Sequence, residues 1–195
     1  PDFHERAVSR VAIAAKDSLA KARPVTRIGT GQARVEKVAS NRRYLDAAGR
    51  ARYDRMSATR DAKIRDTDEG TIDPVLRTLS FWDGETPLAA VSGYATHPMS
   101  YYGAGEVSAD FPGLARRRRQ QEMPGVTQIY FTGCAGNLTA GKYNTGARGN
   151  RFALADRLHQ AMRAAWAATK KFPLTNLVFR TEPARFEPRK EPGFT

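Results

Sequence analysis

The sequence predicts an α/β fold built on a mixed β-sheet with flanking helices. Three observations carry this. Apolar residues recur at spacings of three and four near both ends of the chain. Between them lie short runs rich in β-branched and aromatic residues. The two kinds of segment alternate along the chain rather than falling into separate blocks.

The first helix is expected from His4 to Ala22. There Val8, Val11, Ala12, Ala15, Leu19 and Ala22 form one apolar stripe, and Pro24 closes the element. A short strand follows within 26–38, punctuated by Gly29 and Gly31. The stretch 40–65 is polar and arginine-rich with few large apolar residues. It reads as a long surface excursion holding at most a short helix. From Val75 to Trp82 the pattern becomes that of a strand with both faces largely covered. Asp83-Gly84 is a turn signal, and Leu88–Thr96 is the second arm of a hairpin. Residues 107–113 read as a loop, and a helix spans Leu114–Met123 before Pro124-Gly125. Thr127–Thr132 is a strand that runs into a glycine-rich turn. A long amphipathic helix covers Arg151–Lys170, and Thr175–Glu187 is expected to return as a strand.

Composition narrows the function classes. The chain has 195 residues, 41% of them hydrophobic, enough to bury a core. No apolar run reaches the ~20 residues of a membrane span. The single cysteine, Cys134, excludes an internal disulfide framework and a cysteine-cluster metal site. The net charge is +12, and arginines supply 24 of the 32 basic residues, scattered from Arg6 to Arg189. The run Arg116–Arg119 steps ~100° per residue on a helix, so it forms no single basic stripe. With no aromatic stacking platform beside it, nucleic acid is not expected as a partner. The excess has two other expected counterparts, an acidic neighbouring segment or an anionic membrane surface. The opening Pro1-Asp2-Phe3-His4 reads as the interior of a longer polypeptide.

Few residues qualify for chemistry. Of three histidines, His4 and His159 read as ordinary helix residues. His97 stands at a strand end, fixed by Pro98, where an imidazole can ligate a metal or carry a proton. A capping or core histidine fits that position equally well. The segment Gly133–Gly141 turns tightly after a strand. It holds Gly136, Asn137 and the hydroxyl of Thr139, a candidate nucleophile; a plain strand-to-helix turn is the bland alternative. Asn41, Arg42 and Asp110 complete the set, and the role of Asp110 is open. An arginine at such a site could clamp a carboxylate or stabilise an oxyanion.

The order of these segments is more specific than any one of them. Asn41-Arg42 comes first, then Tyr94-Ala95-Thr96-His97-Pro98-Met99-Ser100. Ser108-Ala109-Asp110-Phe111-Pro112-Gly113 follows, then Tyr130 through Gly133-Cys134-Ala135-Gly136-Asn137-Leu138-Thr139. This run, spanning most of the chain, resembles the neutral/alkaline (non-lysosomal) ceramidase family, in particular its bacterial relatives. The resemblance implies that 1–195 is an interior part of an N-terminal catalytic domain of a zinc-dependent amidase. Such enzymes convert N-acylsphingosine to sphingosine and fatty acid. It implies that His97 is one of four zinc ligands, the others being supplied from outside this chain. It implies Asn41 and Arg42, with Gly136 and Asn137, as substrate contacts, Thr139 at the position of the active-site serine, and a secreted or periplasmic location. One departure is clear. Where the family carries Gly-Asp-Val-Ser-Pro-Asn, this chain reads Gly136-Asn137-Leu138-Thr139-Ala140-Gly141. A different amide or ester substrate, or a catalytically inactive member serving as a binding or structural domain, are the alternatives. A basic nucleic-acid-binding module is a lesser one. That last alternative predicts a salt-dependent gel shift with DNA; the expected result is no shift even at low salt.

Overall fold

A computed structural model describes residues 2–103, 105 and 107–187. The elements, in chain order, are α1 (Asp2–Leu19), β1 (Arg27–Arg34), β2 (Ser40–Asn41), β3 (Tyr44–Leu45), β4 (Ala51–Arg52), α2 (Ala62–Asp66), β5 (Val75–Asp83), β6 (Thr86–Tyr94), α3 (Asp110–Glu122), β7 (Thr127–Thr132), β8 (Leu138–Thr139), α4 (Arg148–Ala167) and β9 (Lys170–Pro173).

The expected α/β class holds. Five strands form one mixed sheet in the order β7-β6-β5-β1-β9. β5 and β6 are an antiparallel hairpin, turned at Gly84 with φ +58°. β6 and β7 pair in parallel, which requires the crossover that α3 supplies. α3 and α4 pack together on one face of the sheet. Leu76 and Tyr94 from the strands meet Phe111 and Ala115 of α3 and Leu154, Leu158 and Met162 of α4 in a continuous core. α4 lies close over β1 because glycine allows it. A Cβ on Gly31 would overlap the Ala165 carbonyl oxygen. Trp82 and Trp166 stack at 5.2 Å between ring centroids and fix the end of the helix to the sheet.

Several expectations are corrected. The strand expected over 175–187 is absent: residues 174–187 have no regular structure, and β9 ends at Pro173. β9 instead lies earlier, pairing with β1 directly after α4. The helix after the hairpin begins at Asp110 rather than Leu114, so part of the expected loop is helical. The hairpin is covered on one face only. Leu76, Thr78, Ser80 and Trp82 point into the core, while Leu79 and, on neighbouring strands, Ile129 and Phe131 remain exposed on the other face. The apolar stripe of α1 is real in sequence but buries nothing within the described chain: none of its residues is buried. Over 40–65 most residues are exposed and the short helix α2 begins there, as expected, but Ser40, Asn41, Tyr44, Arg55, Ser57 and Thr59 are buried.

Beneath α3 and α4, Arg119 is buried and paired to Glu122, whose other oxygen lies 2.9 Å from His159 Nε2. Burial holds the His159 imidazole below its ordinary value, against the opposing pull of Glu122. The unfolded chain therefore takes up a proton near pH ~6.5 that the folded chain resists, and stability falls as pH drops below that point. His159→Gln should flatten this acid limb in urea titrations run from pH 7.5 to 5. Leu158→Ala, in the fully buried centre of α4, should cost about 2–5 kcal/mol in the same assay.

Candidate functional site

The site is assembled by backbone pairing between two segments far apart in sequence. β2 and β8 form a short antiparallel pair, Ser40 opposite Thr139 and Asn41 opposite Leu138. The Arg42 amide extends the ladder by donating to the Asn137 carbonyl at 2.8 Å. His97, arriving from the end of β6, adds a third strand end. Its amide donates to the Leu138 carbonyl at 3.1 Å, and its Nδ1 lies 3.2 Å from the same oxygen. Asn41, Arg42, His97, Gly136, Asn137 and Thr139 thus meet at one place, although they span nearly a hundred residues of sequence.

The His97 ring is oriented by that contact. A carbonyl oxygen only accepts, so the contact favours a proton on Nδ1, which in the neutral ring would leave the lone pair on Nε2. This is the tautomer a metal-ligating imidazole needs, with the second nitrogen anchored to the backbone. Among the described residues no group of three or more His, Cys, Asp or Glu side chains could hold a metal ion. His97 Nε2 is a single candidate metal donor, and the described residues supply no further set beside it.

Asn41 is buried and fully employed. Its Nδ2 donates to the Thr71 carbonyl at 2.8 Å, and its Oδ1 accepts from the Arg43 amide at 2.9 Å. Its part is to shape the bend that presents Arg42. Arg42 is half-buried, and its Nε is buried with no partner among the described residues. Gly136 and Asn137 are exposed beside it. Thr139 has the opposite character. It is fully buried, donates its hydroxyl to the Met56 carbonyl at 3.2 Å, and accepts from the Gly141 amide at 3.2 Å. A hydroxyl so enclosed locks the turn against the 55–57 segment and is not presented to a substrate. Gly141 is obligatory there, since a Cβ would run into the Met56 carbonyl.

Behind this cluster stand residues that sequence reading missed. Arg55 is fully buried and spends its guanidinium on main-chain oxygens. Nε donates to Asn41 O at 2.9 Å, Nη1 to Asp68 O at 2.6 Å and Thr67 Oγ1 at 3.0 Å, and Nη2 to Glu69 O at 2.9 Å. Burial lowers its pKa from the usual guanidinium value. Asp110 has a defined role: at φ +51° it opens α3 and accepts from both the amide (2.9 Å) and the hydroxyl of Ser100. Asn144 ties the Ser57 and Ser100 carbonyls together at 2.8 and 3.1 Å. Together these two hold the loop that follows His97. Nothing in the residue types marked Arg55 or Asn144, because their partners are mostly main-chain groups.

Two of the solved structures that match are similar to this chain in fold. One is the neutral ceramidase of Pseudomonas aeruginosa, with TM-score 0.52, 19% identity, and 73% of this chain covered against 22% of that one. The other is a ceramidase complexed with C2, with TM-score 0.53, 18% identity and the same coverage. The fold is ceramidase-like. The chain spans about a fifth of the length of these ceramidases. No family model and no curated protein matches the sequence.

Loss of the Arg55 fork would leave several carbonyls buried without donors, each costing ~1–3 kcal/mol. Arg55→Met should therefore destabilise the protein by about 3 kcal/mol or more in urea unfolding. Arg43→Met, at an exposed neighbour, should change it by less than ~0.5 kcal/mol.

Proposed function

We propose that the chain forms the His97 corner of a zinc-dependent hydrolase of amide bonds, acting on a lipid-like N-acyl substrate. The reference reaction is that of the neutral ceramidases, N-acylsphingosine to sphingosine plus fatty acid. The observation that carries the reading is the meeting of His97, Arg42 and Asn137 on the 137–138 backbone, within a ceramidase-like fold. His97 would hold the metal through Nε2, with the remaining ligands from residues outside this chain. When bound, zinc supplies Lewis-acid polarisation of the amide carbonyl and a lowered pKa for water.

The residues of this chain do the rest. Leu138 fixes the His97 ring. The free donors of Arg42 face the carbonyl oxygen as it gains charge, the usual use of a guanidinium that has not been spent on a carboxylate. Gly136 and Asn137 line the exposed edge where the substrate lies. Water adds to the carbonyl carbon, the carbon–nitrogen bond breaks, and the amine leaves with a proton. The burial of Thr139 supports water, rather than this hydroxyl, as the attacking group. The same burial favours a second reading, a binding or structural domain without catalysis. Export to the periplasm or beyond is part of the proposal on family likeness.

In the full protein, about one zinc per chain is expected, and His97→Ala should remove most of it. Equal zinc in both proteins would end the assignment. Arg42→Ala should lower kcat/KM for an N-acyl substrate by about 10²–10³-fold while zinc stays. Thr139→Ala should leave turnover within a few-fold of wild type but lower the melting temperature. A wild-type protein that holds zinc, binds N-acyl lipid and never hydrolyses it would establish the second reading instead.

A further inference from the structure

Beyond the His97 cluster, the loop after it opens onto a cavity of about 570 Å³ with an unusual lining. Arg60, Arg148 and Arg151 converge on it, with Tyr101, Tyr102 and Phe152 as apolar walls. No carboxylate lies among the described lining residues. None of the three arginines forms an ion pair among the described residues, although ten such pairs occur elsewhere.

Two of these arginines stand where electrostatics disfavours them. Arg148 and Arg151 occupy the first turn of α4, one turn apart and on one side of it. That end of a 20-residue helix carries the positive pole of its dipole. The turn contains no acidic residue, and its N-cap, Ala147, has no side-chain hydrogen bond to offer. Stacking like charges on a like pole costs stability unless an anion offsets it. The guanidinium of Arg151 is moreover held in place. It lies 3.9 Å over the Tyr101 ring and donates from Nη1 to Ser108 Oγ at 2.7 Å, while its buried Nε has no partner among the described residues. Tyr101 is itself anchored through its hydroxyl to the Arg148 carbonyl at 2.7 Å. A planar fork, braced on an aromatic face with a donor left over, suits a carboxylate or phosphate.

We propose that this cavity is a binding site for an amphipathic anion, its carboxylate or phosphate head taken by Arg60, Arg148 and Arg151 and its apolar body by Tyr101, Tyr102 and Phe152. The site stands independently of the hydrolase reading. It is tested by binding alone, with EDTA present so that metal-dependent turnover does not enter.

Three probes separate the contributions in calorimetric titrations: N-dodecanoylglycine and its uncharged counterpart N-dodecanoylglycinamide, both below their micellar concentrations, and inorganic phosphate. The expected result is that N-dodecanoylglycine binds at least tenfold more tightly than the glycinamide, and at least tenfold more tightly than phosphate. Its affinity should fall as salt rises. Arg60→Gln and Arg148→Gln change exposed side chains, and each should weaken N-dodecanoylglycine at least fivefold with an unchanged circular dichroism spectrum. Arg151→Gln should weaken it further. Equal binding of the charged and uncharged amphiphiles, or affinity unmoved by the exposed arginine variants, overturns the proposal. Phosphate binding as tightly as N-dodecanoylglycine overturns the amphipathic ligand in favour of a free anion.

Discussion

A single buried cation organises the half of the molecule that carries the site. Arg55 has no ion-pair partner among the described residues, yet it is fully buried. Taking a charge out of water is tolerable when its donors are met, and here the fork is met by three main-chain carbonyls and the Thr67 hydroxyl. Those carbonyls belong to Asn41 and to the 67–69 segment, which the guanidinium bridges. The Asn41 amide returns a hydrogen bond to Glu69 O at 2.9 Å, closing the loop around the guanidinium. Arginine suits this place better than lysine. Its weaker hydration lowers the cost of burial, and its rigid geometry matches several oxygens at once.

From that anchor the site follows by backbone addition. With Asn41 fixed, β2 can pair with β8, and the turn bearing Asn137 is set beside Arg42. His97 then docks on the Leu138 carbonyl through both its amide and its ring. Thr139 and Gly141 lock the turn against Met56 from below, and Asp110 and Asn144 restrain the loop beyond His97 through Ser100. Most of these ties end on main-chain oxygens. The cluster is accordingly stiff where it is held and free at the Arg42 guanidinium, His97 Nε2 and the exposed Gly136-Asn137 edge.

The regular elements were legible in the sequence where pattern and position agree. β7 was predicted residue for residue, since its run of β-branched and aromatic side chains is bounded by Pro124-Gly125 and Gly133. The β5–β6 hairpin was visible from its alternation and its Asp83-Gly84 turn. Within the largely exposed segment 40–65, the few buried positions were missed because polarity was taken for exposure. Ser40, Asn41 and Arg55 are buried with main-chain partners for their side chains, and such partners leave no periodic trace. The stripe on α1 failed in the opposite sense. An apolar face records that a helix can pack, and the described chain provides nothing for it to pack against. The candidate residues were named from their order along the chain, but neither the burial of Thr139 nor the supporting role of Asp110 could be read from it.

By itself, then, the sequence determined the class of the fold and the positions of its central strands and long helix. Local pattern is enough for these, because hydrophobic period and turn chemistry act over a few residues at a time. Tertiary structure alone decided which hydroxyl is enclosed, which guanidinium is spent and which is free. It also decided that Arg60, Arg148 and Arg151 should face one cavity at the positive end of α4. These depend on contacts between segments tens of residues apart, where a side chain's chemistry is set by the groups that reach it and by how much water is left around it.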